Sequence, residues 1–451
     1  MKLDGISSAA TVMGTTMNLD LLREQGFETA DAAPDDLVVA IEAEGQDALD
    51  AALVELQTLL SPPATTESAL EAAPASIEAA LRTHPGSNVV VIAVPGECAA
   101  IEAWSAIRAG RHAFIFSDNV DIEDERLLKE AAANVGLLCM GPDCGTAILG
   151  GVGLGFANRV RRGSIGLVGA SGTGIQQVSS LIHMAGGGIA EAIGTGSHDL
   201  SSTVGGTMTM MGIDRLAANP AVEKIGLISK PADPSVAENV LKHLAQTRKP
   251  AVACLLGGRI EAPSGVDLAS TLTEMAERLL GSKLDLGTDN SLPATSSPSE
   301  PRKLVGLFGG GTLREEARQI AIQSGYTAGR FVDLGDDEFT RGRAHPMIDP
   351  RLRASMIESA GDEADVVLLD VLLGDMAHED PAGAIFPAIL KAQARAERAG
   401  RTLSVFAALI GTDLDLQGLA DQRAKLEVAQ VSVTSSNALA ARWAARAATG
   451  Q

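Results

Sequence analysis

GSIGLVGASGTG, residues 163–174, joins a short apolar run to a glycine-rich turn, and the segment 175–185 (IQQVSSLIHMA) continues it with the period of a helix. An apolar run without polar alternation is how a strand buried on both faces reads, and a helix directly behind it is the crossover of a parallel sheet. NVVVIAV at 88–94, LVGLF at 304–308 and DVVLL at 365–369 repeat the pattern, each followed by a segment of helical length. The alternation implies an α/β protein built from several Rossmann-like or flavodoxin-like modules with parallel sheets.

Two stretches interrupt this rhythm. Residues 61–76 (SPPATTESALEAAPAS) and 281–302 (GSKLDLGTDNSLPATSSPSEPR) are rich in Pro, Ala, Ser and Thr and read as linkers. They help to divide the chain into a small N-terminal α+β unit at 1–60 and modules at 77–160, 161–280 and 303–451. The first unit shows a strand at Ala10–Met13, a helix, a strand at Leu37–Ile41 and a second helix, too little to bury a core of its own.

Composition narrows the partners. The net charge is −21, from 36 Lys+Arg against 57 Asp+Glu, so the chain repels phosphate backbones and anionic lipid at long range. Aromatics at 3% leave few platforms on which bases could stack. Nucleic acid is therefore not an expected partner. No apolar stretch is long enough to span a bilayer, and the first residues lack the basic and apolar regions of a signal peptide, so a cytoplasmic protein without a membrane partner is expected. Cys98, Cys139, Cys144 and Cys254 fall in no CxxC or zinc spacing, which suggests free thiols and no metal.

Glycine or small polar residues follow four strands and lead into helices: Val94–Glu97, Gly169–Gly174, Gly194–Asp199 and Gly309–Thr312. A helix start presents free N–H groups and a partial positive charge, and glycine lets an anion approach the backbone. The loops around Ser171, Gly172 and Thr173 and around Gly310, Gly311 and Thr312 add hydroxyl donors and are the expected phosphate sites. Tight strand–helix packing is the plain alternative, and at Val94–Glu97 the better one. The Gly169–Gly172–Gly174 spacing is not the dinucleotide fingerprint, and no lysine follows a glycine anywhere in the chain, which excludes a P-loop.

Several of these motifs carry a resemblance. Met140–Gly145, GSIGLVGASGTG at 163–174 and Ile193–Asp199 resemble the α subunit of succinyl-CoA synthetase, while GLFGGGT and Val332–Gly335 resemble the C-terminal domain of its β subunit. FSDNV at 116–120, GPDCGT at 141–146, GASGTG and HPMIDP at 345–350, in that order in one chain, resemble the FdrA family. On this resemblance 77–160 is a CoA-binding-like Rossmann module, 161–280 a synthetase-like module and 303–451 a ligase-CoA-like module. In the synthetase two helix starts face a phosphohistidine. Here Leu256–Glu261 (LGGRIE) stands at the equivalent loop, no histidine lies between His243 and His345, and residues 303–451 leave no room for an ATP-grasp domain.

FdrA-family proteins resemble a subunit of an oxamate carbamoyltransferase of allantoin breakdown, working with two partner proteins. The resemblance therefore implies phosphorolysis of oxalurate, or another ureido acid, to oxamate and carbamoyl phosphate, with phosphate as co-substrate and no required cofactor. Two other classes stay open: a CoA-dependent ligase component without its nucleotide domain, and a non-catalytic scaffold, either of which could assemble with itself. His345 is the first candidate to protonate the leaving nitrogen, and His198, beside Asp199, the second, although Asp199 could simply cap the next helix. Lys230 and Arg343 are candidates for a substrate carboxylate. Asn119 and Asp143 follow strands where open α/β sheets bind ligands, although both residues also favour turns. His183 sits mid-helix among apolar neighbours and reads as structural. Cys144, with no histidine near it in sequence, is a weak nucleophile candidate.

Overall fold

The computed structural model describes residues 5–29, 32–33, 36–60, 74–258, 260–286 and 302–450. The stretch 61–73 of the first linker and 287–301 of the second, together with Arg259 of the LGGRIE loop, lie outside the described residues. Two compact units divide the chain, Met1–Pro74 and Ala75–Gln451.

In the first unit β1 (Ile6–Met13) pairs antiparallel with β2 (Leu37–Ala43). Burial along β1 alternates, as it does in a strand with one packed face. Helices Thr16–Glu24 and Gln46–Leu60 follow the strands, and Thr15 caps the first by accepting the Asn18 N–H at 3.4 Å. The order strand, helix, strand, helix is the one expected. Among the described residues its buried apolar side chains are Leu19, Leu22 and Ala52, a very small core.

Among its described residues the second unit holds three sheets. The first is parallel, in the order β3 (Val89–Ile92), β4 (His112–Ile115), β5 (Cys139–Met140). The second contains β6 (Thr146–Leu149), β7 (Val152–Gly155), β8 (Arg162–Ala170), β9 (Ile189–Gly194), β10 (Lys224–Ser229), β11 (Ala251–Leu255) and β12 (Val266–Leu268), ordered β12-β11-β10-β8-β9-β6-β7. The third is parallel throughout, with β13 (Leu304–Phe308), β14 (Arg330–Asp333), β15 (Val366–Leu372), β16 (Ser404–Ile410) and β17 (Ser432–Thr434) in the order β14-β13-β15-β16-β17.

The larger sheet departs from the all-parallel expectation. β6 runs antiparallel to both β7 and β9. Gly150 and Gly151 make the turn, with φ of 59° and 82°, the left-handed geometry that a two-residue hairpin needs. Residues 146–155 therefore complete the sheet whose other strands begin at Arg162.

In both large sheets the chain leaves the first parallel strand toward one neighbour and returns to the other side. β8 is flanked by β9 and β10, and β13 by β14 and β15. Such a reversal opens a crevice at the carboxyl end of the central strand. The two glycine loops emerge at these points, after Ala170 and after Phe308.

One apolar core joins the two sheets' modules. Ile175, Val178 and Leu181 belong to the same buried cluster as Leu313, Ala317 and Ile320. Each fully buried Leu or Ile contributes roughly 1.5–3 kcal/mol, so the modules are held by packing as well as by polar contacts. His183, wholly buried, accepts the Arg161 N–H at 3.0 Å through Nδ1 and meets Asp413 at 2.6 Å through Nε2, a structural tie between the modules. No helix among the described residues is long and apolar enough to cross a membrane.

Candidate active site

Ser171 has the extended backbone of an N-cap, and its Oγ accepts the Gly174 N–H at 3.0 Å, which starts the helix Gly172–Met184. Gly310 is the N-cap of the helix Gly311–Gln323 and has no side chain to offer. Its loop is fixed from behind instead. Asp370, wholly buried near the end of β15, accepts the Gly309 N–H at 2.9 Å and the Gly310 N–H at 3.1 Å. Arg353 Nη2 donates to the same carboxylate at 2.7 Å and to the Leu307 carbonyl at 3.0 Å. Burial raises the Asp370 carboxyl above its ordinary range, and Arg353 with the two N–H groups opposes that rise.

The two helix starts touch. Ser171 Oγ and Thr312 Oγ1 are 2.6 Å apart and both residues are buried. Glycine is required for this approach: a Cβ on Gly310 would lie 2.6 Å from the Thr173 side chain, and one on Gly311 would lie 2.2 Å from Asp333 Oδ2. The Ser171 and Thr312 hydroxyls thus bond each other. The N–H groups of Gly172, Thr173, Gly311 and Thr312 occupy first-turn positions without an intrahelical acceptor, and these are the donors left for an anion.

A cavity of about 400 Å³ opens in front of both helix starts. Of the residues singled out in the sequence, Ser171, Gly172, Thr173, Gly310, Gly311 and Thr312 line it, together with Asp143, Lys230, Arg343 and His345. Asn119 and His198 do not. Asn119 takes a left-handed turn conformation, φ 54°, which asparagine tolerates, and its neighbour Asp118 lines the wall and accepts from Thr340 Oγ1 at 2.7 Å. The exposed His198 ring lies 3.5 Å from Glu125 Oε2, and that carboxylate raises its pKa against the effect of burial.

His198 marks the edge of a buried charge cluster. Lys129 Nζ donates to Glu125 at 2.6 Å, to Asp199 at 2.9 Å and to the Thr195 carbonyl at 2.7 Å, and all three charged side chains are buried. Burial pushes the Lys129 ammonium down, but the two carboxylates outweigh it and hold the pKa raised. Asp199 also accepts the Thr209 N–H at 2.8 Å at the start of the helix Thr207–Ala218, the capping role considered for it above. The cluster pins the loop after β9, whose Gly196 lines the cavity.

His345 is not suited to the acid role expected of it. Burial pushes it down to about 4, and Lys230 and Arg353 add to the effect against Asp118. Its Nδ1 accepts the Met347 N–H at 3.2 Å, so the neutral ring carries its proton on Nε2. It stands beside Phe156 as a neutral donor. Cys144 lines the cavity as a thiol, pushed up to about 12 by burial, and does not supply a thiolate.

Sequence reasoning gave no role to Asp333, which closes β14 and lines the cavity, nor to Asp370 or Lys129. For Asp370 a signal was available: an acid inside the apolar run VVLLDVL has to be paired if the strand is buried on both faces. Lys129, four residues after Glu125, reads as an ordinary surface pair until the fold brings Asp199 to it.

Comparison with known proteins completes the picture. A family model described as CoA-ligase matches residues 307–447, one described as CoA binding domain matches 160–257, and one described as "AllF, heavy metal-associated domain" matches 1–83. The uncharacterized protein YahF of Escherichia coli (strain K12) is 40% identical over 475 residues, which cover 97% of this chain and 92% of that protein. The chain belongs to the YahF family.

This YahF-family chain is also 28% identical over 187 residues to the mitochondrial succinate–CoA ligase [ADP-forming] subunit alpha-2 of Trichomonas vaginalis, covering 40% of the chain and 59% of that subunit. Among solved structures it is similar to the dinucleotide-forming acetyl-coenzyme A synthetase 1 of Ca. Korarchaeum cryptofilum (16% identity, 80% of this chain and 84% of that one, TM-score 0.35). It is similar as well to ATP citrate lyase from Methanothrix soehngenii (20% identity, 45% of this chain, 36% of that one, TM-score 0.36). The two family models on the modules that form the cavity overturn the carbamoyltransferase assignment: they point to CoA-ligase-type proteins. Over the N-terminal match no group of three or more His, Cys, Asp or Glu that could hold a metal ion occurs among the described residues.

Proposed function

We propose that this chain carries the acyl-exchange site of a CoA-ligase-type enzyme, in which phosphate and an acyl-CoA react to give an acyl phosphate and free CoA, or the reverse. FdrA-type motif order fits this reading, and the CoA-ligase-like modules supply its chemistry. The observation that carries it is the meeting of two helix N-termini, one from each of those modules, at a single cavity. Their free N–H groups and dipole ends favour a phosphate, and they stabilise the oxyanion that forms when phosphate attacks the acyl carbon. Lys230 and Arg343 add positive charge at the wall of a chain whose net charge is −21.

After β11 the chain continues through Leu256-Gly257-Gly258 without a histidine, so no phosphohistidine step is assigned to it. The nucleotide-dependent half of a ligase cycle then falls to a partner protein, in keeping with a multi-subunit assembly. CoA is a substrate in this reading, and its thiol end is the part that enters the cavity.

Calorimetric titration with inorganic phosphate and with CoA tests the site. Both are expected to bind the unsubstituted protein. Thr312→Val removes the hydroxyl that ties the second helix start to Ser171 and is expected to weaken phosphate binding severalfold, the worth of about 1 kcal/mol for one uncharged hydrogen bond that holds the two sets of N–H donors together. Gly310→Ala forces the helix starts apart against Thr173 and is expected to weaken it by tenfold or more, since displacements near 1 Å are costly in preorganised sites. Silence of the unsubstituted protein toward both ligands sinks the reading.

A further inference from the structure

Asp333 ends β14 and reaches back over the second helix start. Its Oδ1 accepts the Gly335 N–H at 3.0 Å, which fixes the carboxyl plane. Its Oδ2 lies 2.2 Å from the position of a Cβ on Gly311, and Lys230 Nζ lies 3.1 Å from the same point. On the other side, a Cβ on Gly335 would stand 2.6 Å from His345 Nε2 and 3.3 Å from Asp333 Oδ1. The carboxyl group therefore sits among the helix start, a lysine and a neutral imidazole, on the wall of the cavity where the anion is to bind.

A phosphate dianion entering this space meets a resident acid. Two anions in contact repel strongly, and the repulsion disappears when one proton is shared between them. Asp333 is already biased toward holding that proton. Burial raises its carboxyl to about 6, against Lys230 from the end of β10, the Gly335 N–H and Arg314 from the helix behind it, while Asp370 on β15 pushes it further up. His345 is no rival carrier, because its Nδ1 is already engaged and its ring stays neutral.

We infer that Asp333 carries the proton that accompanies the anion into this site and, in acyl exchange, passes it to the departing sulfur. The step balances. An oxygen of HPO₄²⁻ attacks the acyl carbon, the new C–O bond forms and the C–S bond breaks. The Asp333 carboxyl, protonated as the dianion enters, protonates the CoA thiolate and is left as carboxylate, while the acyl phosphate keeps the phosphate O–H proton and gives it to water on leaving, which returns the proton taken up on binding. In reverse the thiol gives its proton to the Asp333 carboxylate, which releases it to water as HPO₄²⁻ departs. No oxidant, metal or further reactant enters. The inference rests on the acyl-exchange reading.

Asp333→Asn keeps the acceptor for the Gly335 N–H and the shape of the side chain but cannot carry a proton. The test is calorimetric titration of the full chain with inorganic phosphate at pH 8, repeated in two buffers of different ionisation enthalpy, which counts the protons taken up. The unsubstituted protein is expected to take up close to one proton more per phosphate than Asp333→Asn. The variant is expected to bind phosphate at least as tightly at this pH, because its neutral amide resembles the protonated acid. Equal proton counts overturn the inference and leave the phosphate site standing. An Asp333→Asn protein that melts like the unsubstituted one yet no longer binds phosphate overturns it too. Failure of the unsubstituted protein to bind phosphate overturns this inference, and silence toward CoA as well removes the acyl-exchange reading on which it rests.

Discussion

Asp370→Ala is expected to destabilise the folded chain by about 3–5 kcal/mol, read as a fall in the urea midpoint with an unchanged slope. Three groups lose their acceptor at once. The Arg353 guanidinium, 5% exposed, is left buried and without its carboxylate, and the Gly309 and Gly310 N–H groups lose the oxygens that hold them. A buried pair can be a poor source of net stability and still be costly to break, because the penalty belongs to the orphaned charge. Asp370→Asn separates the two contributions. It keeps an oxygen for the glycine loop and removes the charge, so it is expected to lose less than the alanine variant. If Asp370→Ala costs under about 1 kcal/mol, water or another side chain replaces the carboxylate, and the loop is not anchored as described.

Lys129→Met comes next in size. The substitution fills similar space but leaves Glu125 and Asp199 facing each other in a buried setting with no cation between them. A loss of about 3–5 kcal/mol at pH 7 is expected. Its pH dependence gives a sharper test. In the unsubstituted protein the Glu125 carboxyl is held below its usual range: burial raises it, and His198 and Lys129 more than reverse that. It therefore contributes stability above the ordinary carboxylate pKa, and this is lost as the pH falls. Without Lys129 the Glu125 carboxyl loses a cation that holds it down and moves up, and protonating it relieves the folded state. The gap in melting temperature between the two proteins should narrow steadily from pH 7.5 to pH 5. A constant gap would show that Lys129 does not hold the Glu125 carboxyl down.

The sequence made the larger plan legible for a simple reason. Strands such as Leu304–Phe308 and Val366–Leu372 are buried on both faces, so their apolar character needs no knowledge of what covers them. The glycine loops at Ser171 and Gly310 were legible too, because a helix start packed this closely against facing side chains has no room for a Cβ. What stayed hidden depended on distant partners. The β6–β7 hairpin is short, and its place in the larger sheet comes from a single bridge, Ile148 to Ala192. Asn119 and His198 follow strands just as Asp143 does, yet the chain turns one residue earlier or later and presents Asp118 and Ser197 to the cavity in their place. The proton affinity of His345 could not be read either, since it reflects depth and the cations around it.

The hydroxyl contact between Ser171 and Thr312 joins positions 141 apart in the chain. A ribosome adding about 5–20 residues per second delivers the second partner roughly ten seconds after the first. By the time synthesis reaches the second linker the earlier module is complete and able to fold, yet the ligand pocket has only one of its two walls. Nascent chains stalled in the second linker and fragments cut there hold half a site. Such products should neither sequester substrate nor be protected by it, and ligand-dependent resistance to proteolysis would begin only when synthesis has passed the final module.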